Sequence, residues 1–75
     1  MKIAFIGGGA MGEAMLSAIL NKGLSLPQSI SVSDVSQARR QYLEDRYSVA
    51  VMSSNRQAVE RGDVVVLAIK PQNLV

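Results

Sequence analysis

Six residues near the start of the chain, Gly7-Gly8-Gly9-Ala10-Met11-Gly12, place glycines in the spacing G-x-G-x-x-G. The string follows a short apolar segment, Lys2 to Ile6, and opens a run with helical periodicity. In that setting each glycine has a mechanical task. Gly7 lets the chain turn sharply, Gly9 lets the backbone approach a diphosphate with no Cβ in the way, and Gly12 lets helix and strand pack closely. The first turn of the helix then offers unpaired N–H groups and about half a positive charge. A kinase glycine loop would lead into a strand, and a Walker A loop would end in Gly-Lys-Ser/Thr; neither pattern fits. Flavin dinucleotides share the glycines and stay open as a minor reading. A tight, glycine-rich turn that holds no ligand is the structural alternative.

Asp34 stands about 20 residues beyond Gly12, where a carboxylate can accept hydrogen bonds from ribose hydroxyls and repel a 2′-phosphate. It could instead cap the following helix, and the two roles are compatible. Arg39 and Arg40 are the nearest cations able to neutralise a 2′-phosphate, although on a helix they also read as solvated charges. NADH and NADPH both remain open, with Asp34 tilting toward NAD(H). Further on, Ala68-Ile69-Lys70-Pro71-Gln72 falls at the C-terminal end of a strand, the rim where open α/β sheets bind ligands. Pro71 also suits the first position of a helix, and Lys70 could mark an exit to solvent. Asn55 has a similar rim position and a similar alternative as a helix cap.

These residues need strands and helices to carry them, and the apolar period supplies both. Lys2 to Ile6 has the composition of a buried strand. From Ala10 the pattern turns helical, with Met11, Ala14, Met15, Ala18 and Ile19 expected on the buried face and Gly23 as the stop. Gly23 to Ser29 is a loop, and Ile30 to Ser33 alternates with period two as a second strand. Ser36 or Asp34 caps a second helix, expected to bury Ala38, Tyr42 and Leu43. Val49 to Met52 is a short third strand. Ser54-Asn55-Arg56-Gln57 fits a capping box opening a helix that Gly62 ends. Val64 to Ile69 is a six-residue apolar run, expected to be a strand covered on both faces, and its edge, if left open, invites aggregation.

Strand and helix alternating four strands deep implies an α/β fold, the first half of a Rossmann-type doubly wound parallel sheet in the order 3-2-1-4. Residues 1–75 form one such domain, and the start of another helix at Pro71 to Val75 reads as the beginning of further structure, so a longer protein is expected. The chain has no cysteine and no histidine, which removes disulfides, thiol nucleophiles, Cys/His metal sites and imidazole acid–base chemistry from these residues. Eight Lys+Arg against six Asp+Glu leave a net charge of +2, and the basic residues are scattered among three aromatics, so no nucleic-acid footprint is present. No apolar run approaches the ~18 residues of a membrane span. The start lacks the cleavage pattern of a signal peptide, and a cytoplasmic location is expected.

Ala4-Phe5-Ile6-Gly7-Gly8-Gly9-Ala10-Met11-Gly12, the Asn55 segment and above all Val66-Leu67-Ala68-Ile69-Lys70-Pro71-Gln72 resemble the N-terminal cofactor domain of pyrroline-5-carboxylate reductase, over essentially all 75 residues. The resemblance implies NAD(P)H-dependent reduction of the C=N bond of 1-pyrroline-5-carboxylate to proline, the last step of proline biosynthesis. It implies a homo-oligomer whose helical C-terminal domain dimerises and supplies most of the substrate pocket. Gly7, Gly9, Ala10, Met11 and Gly12 would then contact the pyrophosphate, Asn55 the adenosine ribose, and Ala68, Lys70 and Pro71 the nicotinamide end. No catalytic and no metal-binding residue is assigned within these residues. Asp34 and Val35 depart from the Ser, Asn or Arg that members preferring NADPH commonly carry there. Two alternatives stand beside this reading: another two-domain NAD(P) dehydrogenase of the hydroxyisobutyrate or 6-phosphogluconate type, and a non-catalytic nucleotide-sensing module.

Overall fold

The computed structural model describes residues 1–68. Strand β1 is Ile3–Ile6, and helix α1, Ala10–Asn21, follows directly on the glycine turn. A 3-10 turn at Pro27–Ser29 leads into β2, Ile30–Ser33, and then α2 spans Gln37–Tyr47. Strand β3 is Ala50–Met52, α3 is Asn55–Arg61 and β4 is Val64–Leu67. All strand pairs are parallel, and the sheet order is β3-β2-β1-β4, as the alternation of strand and helix predicts. Phe5 sits level with Val32 on one side and Val66 on the other.

The sheet has an apolar face and a mixed face, because side chains alternate along each strand. Ile3, Phe5, Ile30 and Val32 form one core with Leu16 of α1, Leu43 of α2 and Val49. The opposite face carries Ala4 and Ile6 against Ala58 of α3. The two serines of β2 also lie on this second face and are buried. They are satisfied from α3: the Ser33 hydroxyl donates to Asn55 Oδ1 at 2.6 Å, and Arg61 Nε donates to the Ser31 hydroxyl at 3.1 Å. The period-two pattern of β2 therefore separates an apolar face from a hydrogen-bonding face, with both buried.

Three expectations need correction. Met11, Ala14, Met15 and Ala18 of α1 are exposed, and Gly12 and Leu16 are buried, with Ile19 and Leu20 partly so. The side of the helix turned inward is the one carrying Gly12, which has no side chain and lies against the Gly7 carbonyl and Ala68. In α2, Ala38 and Tyr42 are exposed; Leu43 is buried, and Arg39, Arg40 and Tyr47 are partly so. Finally, among the described residues β4 is not covered on both faces. It is four residues long, Val65 is 41% and Leu67 67% exposed, and seven-residue α3 packs mainly over β1, β2 and β3.

Candidate functional site

The site is the rim where β1 and β2 end. Gly7 has φ +99, a conformation that side-chain-bearing residues rarely adopt, and its N–H donates to the Ser33 carbonyl at 2.9 Å. A Cβ on Gly7 would lie 2.8 Å from the Ala68 carbonyl oxygen, and one on Gly12 would lie 2.6 Å from the carbonyl oxygen of Gly7. Strand end, helix start and Ala68 thus meet backbone to backbone. Gly9 differs from both. Its φ of −75 is open to any residue, and a Cβ there would meet nothing within 4 Å. Neither backbone conformation nor packing explains that glycine.

Gly9 is also the N-cap of α1, a position where Ser, Thr, Asp or Asn would normally satisfy first-turn N–H groups. No side chain caps this helix. The N–H groups of its first turn have no intrahelical acceptor and open onto the space beside Gly9. That arrangement can hold a diphosphate, with backbone donors, the positive end of the helix dipole and room for the oxygens. A Cβ at position 9 would project into that open space.

Asp34 lies one residue beyond β2. Its Oδ2 accepts the Gly8 N–H at 2.9 Å and its Oδ1 the Ser36 N–H at 2.8 Å. The helix cap itself is Ser36, whose hydroxyl accepts the Arg39 N–H at 3.2 Å. Asp34 therefore ties the glycine turn to the start of α2 while holding its negative charge at the rim. Both candidate cations turn inward. Arg40 donates to the Asp34 carbonyl at 2.7 Å, and Arg39 Nε donates to the Gly8 carbonyl while its other end donates to Glu13 at 2.6 Å.

Glu13 collects a set of donors that the sequence alone does not announce. Besides Arg39, the hydroxyls of Tyr47 and Tyr42 donate to its carboxylate at 2.6 and 2.7 Å, and Arg46 stands 3.8 Å away. The tyrosine hydroxyls, first that of Tyr47 and then that of Tyr42, outweigh partial burial and, with Arg39, hold its pKa at about 2 instead of the ordinary 4.5. The same bond pushes the Tyr42 phenol upward. Because the folded carboxyl is the stronger acid, its stabilising contribution is complete above pH 4.5 and fades as pH falls toward about 2. A Glu13→Gln chain is expected to be less stable than wild type at about pH 6 and to match it at about pH 2, as urea midpoints at the two values will show. A gap that persists at the lower pH would contradict this.

Asn55 is the first residue of α3, after the Ser54 cap, and its carbonyl oxygen is taken by Ser33. Ala68 is buried, its N–H donating to the Ile6 carbonyl at 2.9 Å beneath the turn. Lys70 and Pro71 lie outside the described residues. An open cleft of about 330 Å³ lies at the opposite, amino end of the sheet. It is lined by Lys2 and Arg61 and by Glu60 and Asp63, so its charges balance and nothing selects an anion. Among the described residues no helix is long and apolar enough to cross a membrane.

Pyrroline-5-carboxylate reductase of Corynebacterium melassecola is 44% identical over 73 residues, which are 97% of this chain and 27% of that protein. The enzyme of the same name from Synechocystis sp. is 38% identical over 74 residues, 99% of this chain and 28% of that protein. The solved structure of a pyrroline-5-carboxylate reductase from Coxiella burnetii superposes with a TM-score of 0.86 at 33% identity, covering 97% of this chain and 27% of that one. The chain thus spans about a quarter of the length of these relatives. The family model described as NADP oxidoreductase coenzyme F420-dependent matches residues 2–75, and the chain, with its Rossmann-like half-sheet and uncapped glycine turn, belongs to that family.

Proposed function

We propose that these residues are the nicotinamide-dinucleotide-binding part of a pyrroline-5-carboxylate reductase, an oxidoreductase that reduces 1-pyrroline-5-carboxylate to proline. The observation that carries the cofactor reading is Gly9, a glycine that the fold does not need, beside helix donors that nothing caps. The substrate reading is supported by similarity to reductases of that name. In this reading Gly7, Gly9, Ala10, Met11 and Gly12 surround the pyrophosphate. Asp34 and Asn55 lie on the ribose side, and Ala68, Lys70 and Pro71 lie toward the nicotinamide. The bound cofactor supplies a hydride, and the chain's own part is to fix where the dihydronicotinamide lies. The rest of the substrate pocket, and assembly into a homo-oligomer, belong to the longer protein.

The preferred cofactor is NADH. Asp34 presents a carboxylate where a 2′-phosphate would lie, and Arg39 and Arg40 are occupied by Gly8, Glu13 and Asp34. Like-charge contact at about 4 Å near a protein surface costs on the order of 1–4 kcal/mol, or roughly tenfold or more in affinity. Fluorescence titration is expected to show NADH binding at least about tenfold more tightly than NADPH, and Asp34→Asn is expected to bring the two within about threefold. Tighter binding of NADPH by the wild type would reverse the assignment. Failure of both nucleotides to bind would remove the dinucleotide reading itself.

A further inference from the structure

Three consecutive glycines form the most flexible stretch a backbone can have, yet a phosphate cradle works only if its amides are already aimed. Both polar backbone groups of Gly8 are held by side chains from elsewhere: its N–H by Asp34, its carbonyl by Arg39. A trans peptide is planar, so its C=O and the next N–H point in opposite directions. Drawing the Gly8 carbonyl toward α2 therefore turns the Gly9 N–H away from α2.

Arg39 is itself fixed on several sides. Its guanidinium reaches Glu13 on α1 at 2.6 Å and lies over the Tyr42 ring, 4.7 Å from the centroid. Glu13 is in turn pinned by Tyr42 and Tyr47 of α2. The result is a closed circuit running from the turn to α2, across to α1 and back to the turn. Its cost in sequence terms is an arginine on the inward side of α2.

We propose that Arg39 is a positioning residue for the phosphate-binding turn, its guanidinium bridging the Gly8 carbonyl and Glu13 so that the Gly8–Gly9 peptide is set before the dinucleotide arrives. The proposal rests on the dinucleotide-binding reading and adds a residue to it. Arg39 acts through the turn and donates nothing to the phosphates. A lysine keeps the charge but is a single point donor, unable to reproduce a planar fork spanning two acceptors and a ring.

The test compares NADH with adenosine, which lacks phosphate and so does not use the turn. In Arg39→Ala and Arg39→Lys, NADH affinity is expected to fall about tenfold, with adenosine affinity, followed by chemical-shift titration, within about twofold of wild type. In Glu13→Gln, which loosens Arg39 while leaving it in place, the NADH loss is expected to be about threefold with the same split. Wild-type NADH affinity in Arg39→Lys would show that charge alone suffices and overturn the proposal. An equal loss of adenosine binding would show a general structural role and overturn it too. If Arg39→Ala does not fold, Arg39→Lys and Glu13→Gln decide. Absence of NADH binding by the wild type would strike the underlying cofactor reading instead.

Discussion

A Gly9→Asp chain is expected to melt at or above the wild-type temperature and to lose dinucleotide binding by about 100-fold or more. The two halves of this expectation have one cause. Position 9 is the N-cap of α1, its φ of −75 suits any residue, and a Cβ meets nothing within 4 Å, so aspartate enters without strain. Once there, its carboxylate can accept first-turn N–H groups and complement the helix dipole, which improves stability by a few tenths to about 1 kcal/mol over glycine. The same carboxylate takes the donors that a diphosphate would use and sets a negative charge against it. Repulsion of a few kcal/mol at an effective dielectric near that of a protein surface corresponds to about 100-fold or more. Gly9→Ala separates the terms, since it adds bulk without charge; a smaller loss, about tenfold, is expected there. Circular dichroism melts together with NADH titrations provide both readouts. Binding by Gly9→Asp within about threefold of wild type would mean that the diphosphate lies elsewhere.

Gly7→Ala is expected to do the reverse, damaging the fold before the site. Its φ of +99 disfavours any side chain, and the new Cβ would lie 2.8 Å from the Ala68 carbonyl oxygen, a backbone atom that cannot swing aside. Strain of this kind costs about 2–4 kcal/mol. A chain of this size has only roughly 4–11 kcal/mol of stability in total. For a domain of such length, each kcal/mol moves the melting temperature by about 4–8 °C, so a fall of about 10 °C or more is expected. Saturating NADH is expected to recover part of it, because a ligand that binds only the folded chain stabilises that chain. A melting temperature within about 3 °C of wild type would show that the turn relaxes more easily than its geometry implies.

The contrast between these glycines marks how far the amino-acid string could be read alone. G-x-G-x-x-G after a strand and before a helix is a local pattern, and so are the Ser54 cap with Gln57 and the stop at Gly62; all three stand in the structure where the spacing puts them. The helix faces were harder. Met11, Ala14, Met15, Ala18 and Ile19 make an apolar stripe with good helical spacing, but most of it is exposed and Leu16 is buried. The inward side carries Gly12 against Gly7 and Ala68, and a glycine adds nothing to a hydrophobic pattern. In α2 the stripe through Ala38 and Tyr42 misleads for a related reason: the inward side carries Arg39, whose partners are a carboxylate on α1 and a carbonyl in the turn. No periodicity reveals a partly buried face built from charges that satisfy one another. Among the described residues Val64–Leu67 lacks the coverage expected of it, because a run of valines reports what a strand would bury and not which element lies over it.

By itself, the sequence determined the order of strands and helices, the parallel sheet and the site of the glycine turn, because each follows from periodicity and backbone constraint within a few residues. Tertiary structure decided which glycine is spare, that Asp34 and Arg39 grip Gly8 from opposite sides, and that Glu13 closes the circuit. Those are contacts between residues 26 and 31 positions apart, 26 separating Gly8 from Asp34 and Glu13 from Arg39 and 31 separating Gly8 from Arg39. At such separations the rotation of each helix against the sheet sets which side chains meet, and that rotation is fixed by packing the whole core at once.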